Sequence, residues 1–226
     1  MQLLIFQQRK YPKYFPDDRW TCMNSIYNQM LPSNIKKFQA LRARQKVEGN
    51  VSKNVDWGTV DPDLYLYAHG LADVWSNQSW GLCDYILGVE NITKSHWFAY
   101  RYNFLSRTIE IYDSMSFAFG KERKEVADRH AIIAPSLYNI NKDNDAEMLD
   151  PDVPFDVEYK ADVPQQHNGY DCGVFAIKIV QCLAMQDDYT KLEHEHFKDY
   201  RKKLACDLVR WQKMPGGKLS LDEKAM

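Results

Sequence analysis

No apolar run in these 226 residues approaches membrane-spanning length, and the opening MQLLIFQQRKYPKYF has neither a signal-peptide core nor a cleavage site. The expectation is an intracellular protein, nuclear or cytoplasmic, that engages no membrane. A basic excess is also missing. The 29 Lys+Arg stand against 31 Asp+Glu, a net charge of -2, so the electrostatic footprint of a nucleic-acid binder is absent. Five cysteines occur, at 22, 83, 172, 182 and 206. Their odd number and wide spacing fit neither a disulfide framework nor a CxxC zinc site, which points to a reducing compartment. Sequons at Asn50, Asn77 and Asn91 then read as chance. There is no internal repeat and no low-complexity segment.

What is present suits one globular domain spanning 1–226: 45% hydrophobic residues, 27% charged, and enough length to bury a core without staples. Its N-terminal part, 18–62, reads as helical. Trp20, Met23, Tyr27 and Met30 recur at helical spacing over 18–31, Pro32 ends that helix, and a second starts at Ser33 with Ile35, Phe38 and Leu41 on one face. Residues 46–62 read as loop, and the aromatic-rich 63–82 fits either element type.

From Asp84 the period changes. Tyr85 to Val89 is a short buried-strand run. His96 to Phe104 alternates, with Phe98, Tyr100, Tyr102 and Phe104 on one side. Leu105-Ser106-Arg107 is a turn and Thr108 to Asp113 the return strand. Such a hairpin puts His96 and Asp113 at neighbouring strand ends. A helix is expected over 121–135, ended by Pro135, then an acidic loop over 141–152. Phe155 to Val163 alternates as a half-buried strand leading into Pro164-Gln165-Gln166. The apolar GVFAIKIVQCLAM after Cys172 is a buried helix, and a last helix is expected over 190–213, with a frayed tail from Pro215. The acidic run from Asp143 to Asp162 reads as a solvated face.

Cys172 opens the buried helix, where unpaired N–H groups and the macrodipole favour a negative charge. Only a thiolate attacks, and a nearby histidine can hold the proton. Asp171 stands where it would cap the helix; its charge opposes a thiolate, so the histidine must dominate. Gly169 and Gly173 leave room for a substrate backbone. Gln166 and the Cys172 N–H could together stabilise an oxyanion, one such donor being worth roughly 3 kcal/mol.

Alone, Cys172 would be an ordinary buried thiol and His96 a satisfied strand histidine. The glycine-flanked loop and the seventeen-residue spacing to Asp113 tip both towards catalysis. His194-Glu195-His196 does not read as a metal site, because residues two apart on a helix point in different directions. His167 is given no role, and neither metal nor cofactor is expected.

His96-Trp97, Asp113-Ser114 and PQQHNGYDCGVF at 164–175 resemble the ubiquitin-like-protein-specific proteases, the SUMO protease family, best over 84–185. The resemblance implies an α+β, papain-like fold with a mixed sheet and the nucleophile at the N-terminus of a central helix. It implies thiol hydrolysis after the C-terminal Gly-Gly of a ubiquitin-like modifier, SUMO first, without a cofactor. Carried over, His96 is general base and acid, Asp113 its orienter, Gln166 the oxyanion donor and Cys172 the nucleophile, with Trp97 packed beside the site. The family's N-terminal Trp-Leu-x-Asp segment, whose tryptophan roofs the Gly-Gly channel, has Trp20-Thr-Cys-Met as its nearest candidate. That looser pattern resembles divergent members, transposon-encoded or pathogen effectors; an effector would work in a host cell. Two rival readings keep the fold: an acyltransferase of the acetyltransferase-effector type, for which no acyl-donor motif is visible, and an inactive modifier-binding module.

Overall fold

The computed structural model describes residues 2–71, 78–140, 142 and 147–212. Five strands run in chain order: β1 (Trp20–Cys22), β2 (Tyr85–Ile92), β3 (His96–Asn103), β4 (Thr108–Tyr112) and β5 (Asp156–Tyr159). They form one sheet in that same order. The central three make an antiparallel meander in which Ile92 faces His96 and Tyr85 faces Asn103, while Ala99 faces Tyr112. Thr93 and Lys94, at φ 56° and 59°, bend the β2–β3 turn through the left-handed region that tight hairpins need. Both edge strands are parallel to their neighbours, so the sheet is mixed. The fold class is α+β.

Among the described residues there are seven α-helices: α1 (Gln2–Lys10), α2 (Ser25–Glu48), α3 (Trp57–Val60), α4 (Pro62–Ala68), α5 (Gly120–Asn139), α6 (Cys172–Met185) and α7 (Phe197–Gln212). The alternation along β3 divides the core as the pleat requires. Phe98, Tyr100 and Tyr102 join Ile86, Ile109 and Ile111 in a cluster with Tyr27, Leu31 and Ile35 of α2 and Ile133 and Leu137 of α5. On the other face Ala99, Leu87 and Tyr112 pack with Phe175, Ala176, Ile179 and Val180 of α6. The tyrosine hydroxyls buried in the first of these clusters find partners. Tyr27 and Tyr102 hydroxyls lie 3.1 Å apart, Tyr102 lies 2.7 Å from His130 Nδ1, and Tyr100 donates to Asn28 Oδ1 at 2.8 Å.

Several expectations need correction. The helix expected over 18–31 begins later, because Trp20, Thr21 and Cys22 are buried on the sheet edge as β1. Pro32 does not end it: α2 runs through Pro32 to Glu48. A proline inside a helix costs about 3 kcal/mol, and Tyr27, Leu31, Ile35 and Phe38 bury one continuous face across it. Pro135 likewise lies inside α5. Lacking an N–H, it leaves the Ala131 carbonyl without its helical donor, and Phe155 N–H supplies one at 3.1 Å.

The loop expected over 46–62 holds the end of α2 and the short α3, capped by Asp56, and reaches the start of α4, capped by Asp61. The strand expected from Phe155 to Val163 is only β5, and Asp156 and Glu158 are solvent-facing as expected of the acidic run. The last helix starts at Phe197, after turns at Tyr189–Lys191 and His194–His196. Asn77, Asp143 and the tail from Pro215 lie outside the described residues. Among the described residues no helix is long and apolar enough to cross a membrane, and all five cysteines are free thiols.

Gly88 in β2 is fixed by Tyr100 across the meander, since a Cβ there would sit 2.2 Å from the buried ring. Gly88→Ala should therefore lose about 1–3 kcal/mol through overpacking. Urea denaturation reads this directly, and an unchanged midpoint would mean that Tyr100 does not pack over Gly88.

Candidate active site

Helix α6 lies along β3 with its first turn over the start of that strand. Cys172 Sγ is 4.0 Å from the carbonyl oxygen of Ser95, the residue before His96. A Cβ on Gly173 would meet the Trp97 indole at 3.6 Å, ordinary van der Waals contact, so the two residues pack side by side. The thiol is nearly buried and holds the first position of α6, on the side of the helix dipole that favours an anion.

His96 Nε2 lies 2.7 Å from Asp113 Oδ1, as the hairpin predicted, and both side chains are buried. An Nε2–H donated to the carboxylate leaves Nδ1 as the nitrogen able to take a thiol proton. The His96 ring is stacked on Phe119, with centroids 5.2 Å apart and planes at 13°. Phe119 holds a left-handed backbone, φ 56°, which is unfavourable for a bulky side chain. Strain of this kind persists where the surroundings over-determine a conformation; here it sits between the Asp113 loop and α5.

Asp113 is secured on both oxygens. Oδ1 also accepts from the Met115 N–H at 2.8 Å, and Oδ2 pairs with Arg123 of α5. Arg123 donates further to the carbonyls of Ala118 at 3.1 Å and Ser116 at 2.9 Å, closing the loop between β4 and α5. Burial alone would raise the Asp113 carboxyl. The His96 hydrogen bond, the Met115 N–H and Arg123 outweigh it and hold the group below its ordinary range.

Gln166 is buried, with its amide orientation fixed from two sides. Oε1 accepts from Ser114 Oγ at 2.9 Å, and Nε2 donates to the Asn168 carbonyl at 2.5 Å. An amide nitrogen carries two hydrogens, so one donor remains. Gln165 ties the same loop to the Asp113 segment: Nε2 donates to the carbonyls of Asp113 and Val163, and Oε1 accepts from Ser116 N–H and Oγ–H.

Asp171 does not cap α6 with its side chain. Its carboxylate instead pairs with Arg201 of α7 and accepts from Asn168 Nδ2 at 2.6 Å. His194 and His196 diverge: the His194 ring lies 4.6 Å from that of His167, tilted by 41°, while His196 is exposed beside Glu193.

Trp20 is not brought to this site. β1 pairs with β2 at Tyr85, the end of β2 opposite Ile92 and His96, and Trp20 packs on Phe15 near Leu183 and Gln186 at the far end of α6. Arg123, Phe119 and Arg201 carried no signal in the sequence, and Gln165 stood in the 164–175 motif without an assigned role. Each acts across a long or irregular connection that leaves no periodic signal.

The family model described as the Ulp1 protease family, C-terminal catalytic domain, matches residues 66–210. No curated protein matches the chain. Among solved structures, the Ulp1-like SUMO protease catalytic domain of Chaetomium thermophilum is 20% identical, covering 92% of this chain and 67% of its own, with a TM-score of 0.49. The yeast Ulp1 protease domain in complex with Smt3, the yeast ortholog of SUMO, is 19% identical over 92% and 74% of the chains, TM-score 0.46. The Chlamydia trachomatis effector Cdu1 bound to ubiquitin is 11% identical over 95% and 92%, TM-score 0.42.

Because the fold depresses the Asp113 carboxyl, the stability of its pairing is fully present above the ordinary carboxylate range and is lost as pH falls through the depressed value. Arg123→Met should thus cost about 1–3 kcal/mol at neutral pH, with the gap to wild type narrowing in acid. Urea unfolding at a series of pH values tests this; a gap that stays constant or widens in acid would contradict it.

Proposed function

We propose that this chain, a cysteine protease that belongs to the Ulp1 protease family, hydrolyses the peptide or isopeptide bond after the C-terminal Gly-Gly of a ubiquitin-like modifier, with SUMO the first candidate. The observation that carries the reading is the placement of Cys172, at the head of α6, against the start of β3, where His96 is bonded to Asp113. In this reading Nδ1 of His96 takes the thiol proton and the thiolate attacks the carbonyl carbon of the terminal glycine. The remaining Gln166 N–H and the Cys172 backbone N–H receive the oxyanion. His96 returns the proton to the leaving amine. Water, deprotonated by His96, then splits the thioester and frees the modifier and the thiol. Asp113 stays ionised throughout and steadies the imidazolium.

Trp97, packed against Gly173 beside the thiol, is proposed to line the path of the Gly-Gly tail. No cofactor enters any step. The free thiols fit a reducing compartment, nuclear or cytoplasmic, in the organism or in its host.

A panel of SUMO, ubiquitin and other modifiers carrying a C-terminal propargyl or vinyl-sulfone group tests the reading. Labelling by one modifier, read as a mass shift and lost in Cys172→Ala, is the expected result. A folded protein labelled by none would contradict it, and an acetylated enzyme formed from acetyl-CoA would establish the acyltransferase instead. Gln166→Ala should lower kcat about 10²-fold and leave KM nearly unchanged. A change confined to KM would make Gln166 a substrate-positioning group.

A further inference from the structure

The peptide segment that delivers Cys172 carries a feature the mechanism above does not use. Asp171 is a buried carboxylate adjacent to the thiol-bearing residue. An anion there works against a second anion next door. The structure supplies a counter-charge from a distant element: Arg201 of α7 pairs with Asp171 Oδ1 and donates to the Tyr170 carbonyl at 2.7 Å. Its guanidinium also lies over the Tyr170 ring, 5.0 Å from the centroid. The other carboxylate oxygen accepts from Asn168, whose own Oδ1 accepts the N–H groups of Tyr170 and Asp171 at 3.0 Å.

We propose that Arg201 is a positioning residue for the nucleophile, neutralising Asp171 and locking residues 168–171 so that the thiolate of Cys172 can form at the head of α6. The inference rests on Cys172 being the nucleophile. Asp171 closes the turn that starts α6, its carbonyl accepting from Val174 and Phe175 N–H at 2.9 Å. The loop thus keeps its buried acid at the cost of a charge beside the thiol, and Arg201 offsets that charge. The other titratable groups facing this region are His194, 4.0 Å from Asp171 Oδ2, and His167, whose ring lies 4.6 Å from that of His194. His96 and Asp113, with Arg123 behind them, face it from the sheet side.

The test is the pH profile of iodoacetamide alkylation at Cys172, read on its peptide by mass spectrometry in the full chain. Arg201→Met should move the profile upward by about one pH unit, and Arg201→Lys should restore most of the shift. Asp171→Asn alone should move it downward, and Asp171→Asn with Arg201→Met should return it close to wild type. An Arg201→Met profile that does not move, or a double variant displaced as far as the single, would overturn the proposal. Should Arg201→Met fail to fold, Asp171→Asn decides, since an unmoved profile in that variant removes the charge argument. Iodoacetamide is not a modifier, so the two proposals fail separately. Absent probe labelling with these shifts intact sinks only the modifier reading, and normal labelling without the shifts sinks only the role of Arg201.

Discussion

Everything at the site depends on how α6 is docked across the sheet. Phe175, Ala176, Ile179 and Val180 are buried against Leu87, Ala99 and Tyr112. Full burial of a large apolar side chain is worth about 1.5–3 kcal/mol, so this contact fixes the axis of α6 firmly. The thiol is on the first residue of the helix, and the axis therefore decides where it falls: at the start of β3, 4.0 Å from the carbonyl oxygen of Ser95, the residue before His96. Trp97 packs beside Gly173, close enough that a Cβ there would touch the indole at 3.6 Å.

Around that axis the two halves of the chemistry are held by different means. The His96–Asp113 pair lies just beyond the last β3–β4 pair, Ala99 with Tyr112, at one end of the antiparallel meander, and is reinforced from the α5 side by Arg123 and Phe119. Gln166, the proposed oxyanion donor, belongs to an irregular loop. Gln165 fastens it to the Asp113 segment and Arg201 fastens its far end to α7. Side-chain anchors, an amide and two guanidinium groups, are thus placed at the loops, where no ladder of backbone hydrogen bonds can supply rigidity.

The parts of this arrangement that follow a period were legible in the sequence. Alternation along His96–Phe104 identified the buried face of β3, and the seventeen-residue spacing brought His96 to Asp113. Gly-flanked Cys172 before an apolar helix marked the thiol proposed as the nucleophile. What stayed hidden has no local signature. Pro32 and Pro135 sit inside helices because burial on both sides outweighs the lost bond, a tertiary effect invisible to local rules. β1 is three residues long, too short for alternation to register, and its pairing at Tyr85 is what carries Trp20 away from the site. Arg123 and Arg201 look like any surface arginine on an amphipathic helix until the fold places Asp113 and Asp171 beside them.

The central claim is that Asp113 acts on the reaction only through His96. A double-mutant cycle measures this most directly, using kcat/KM on a fluorogenic C-terminal amide of the modifier that the enzyme accepts. Asp113→Ala should slow the wild-type enzyme by a factor of about 10²–10⁴ and add nothing once His96 is alanine. Equal losses in both backgrounds would show two independent residues and contradict the account.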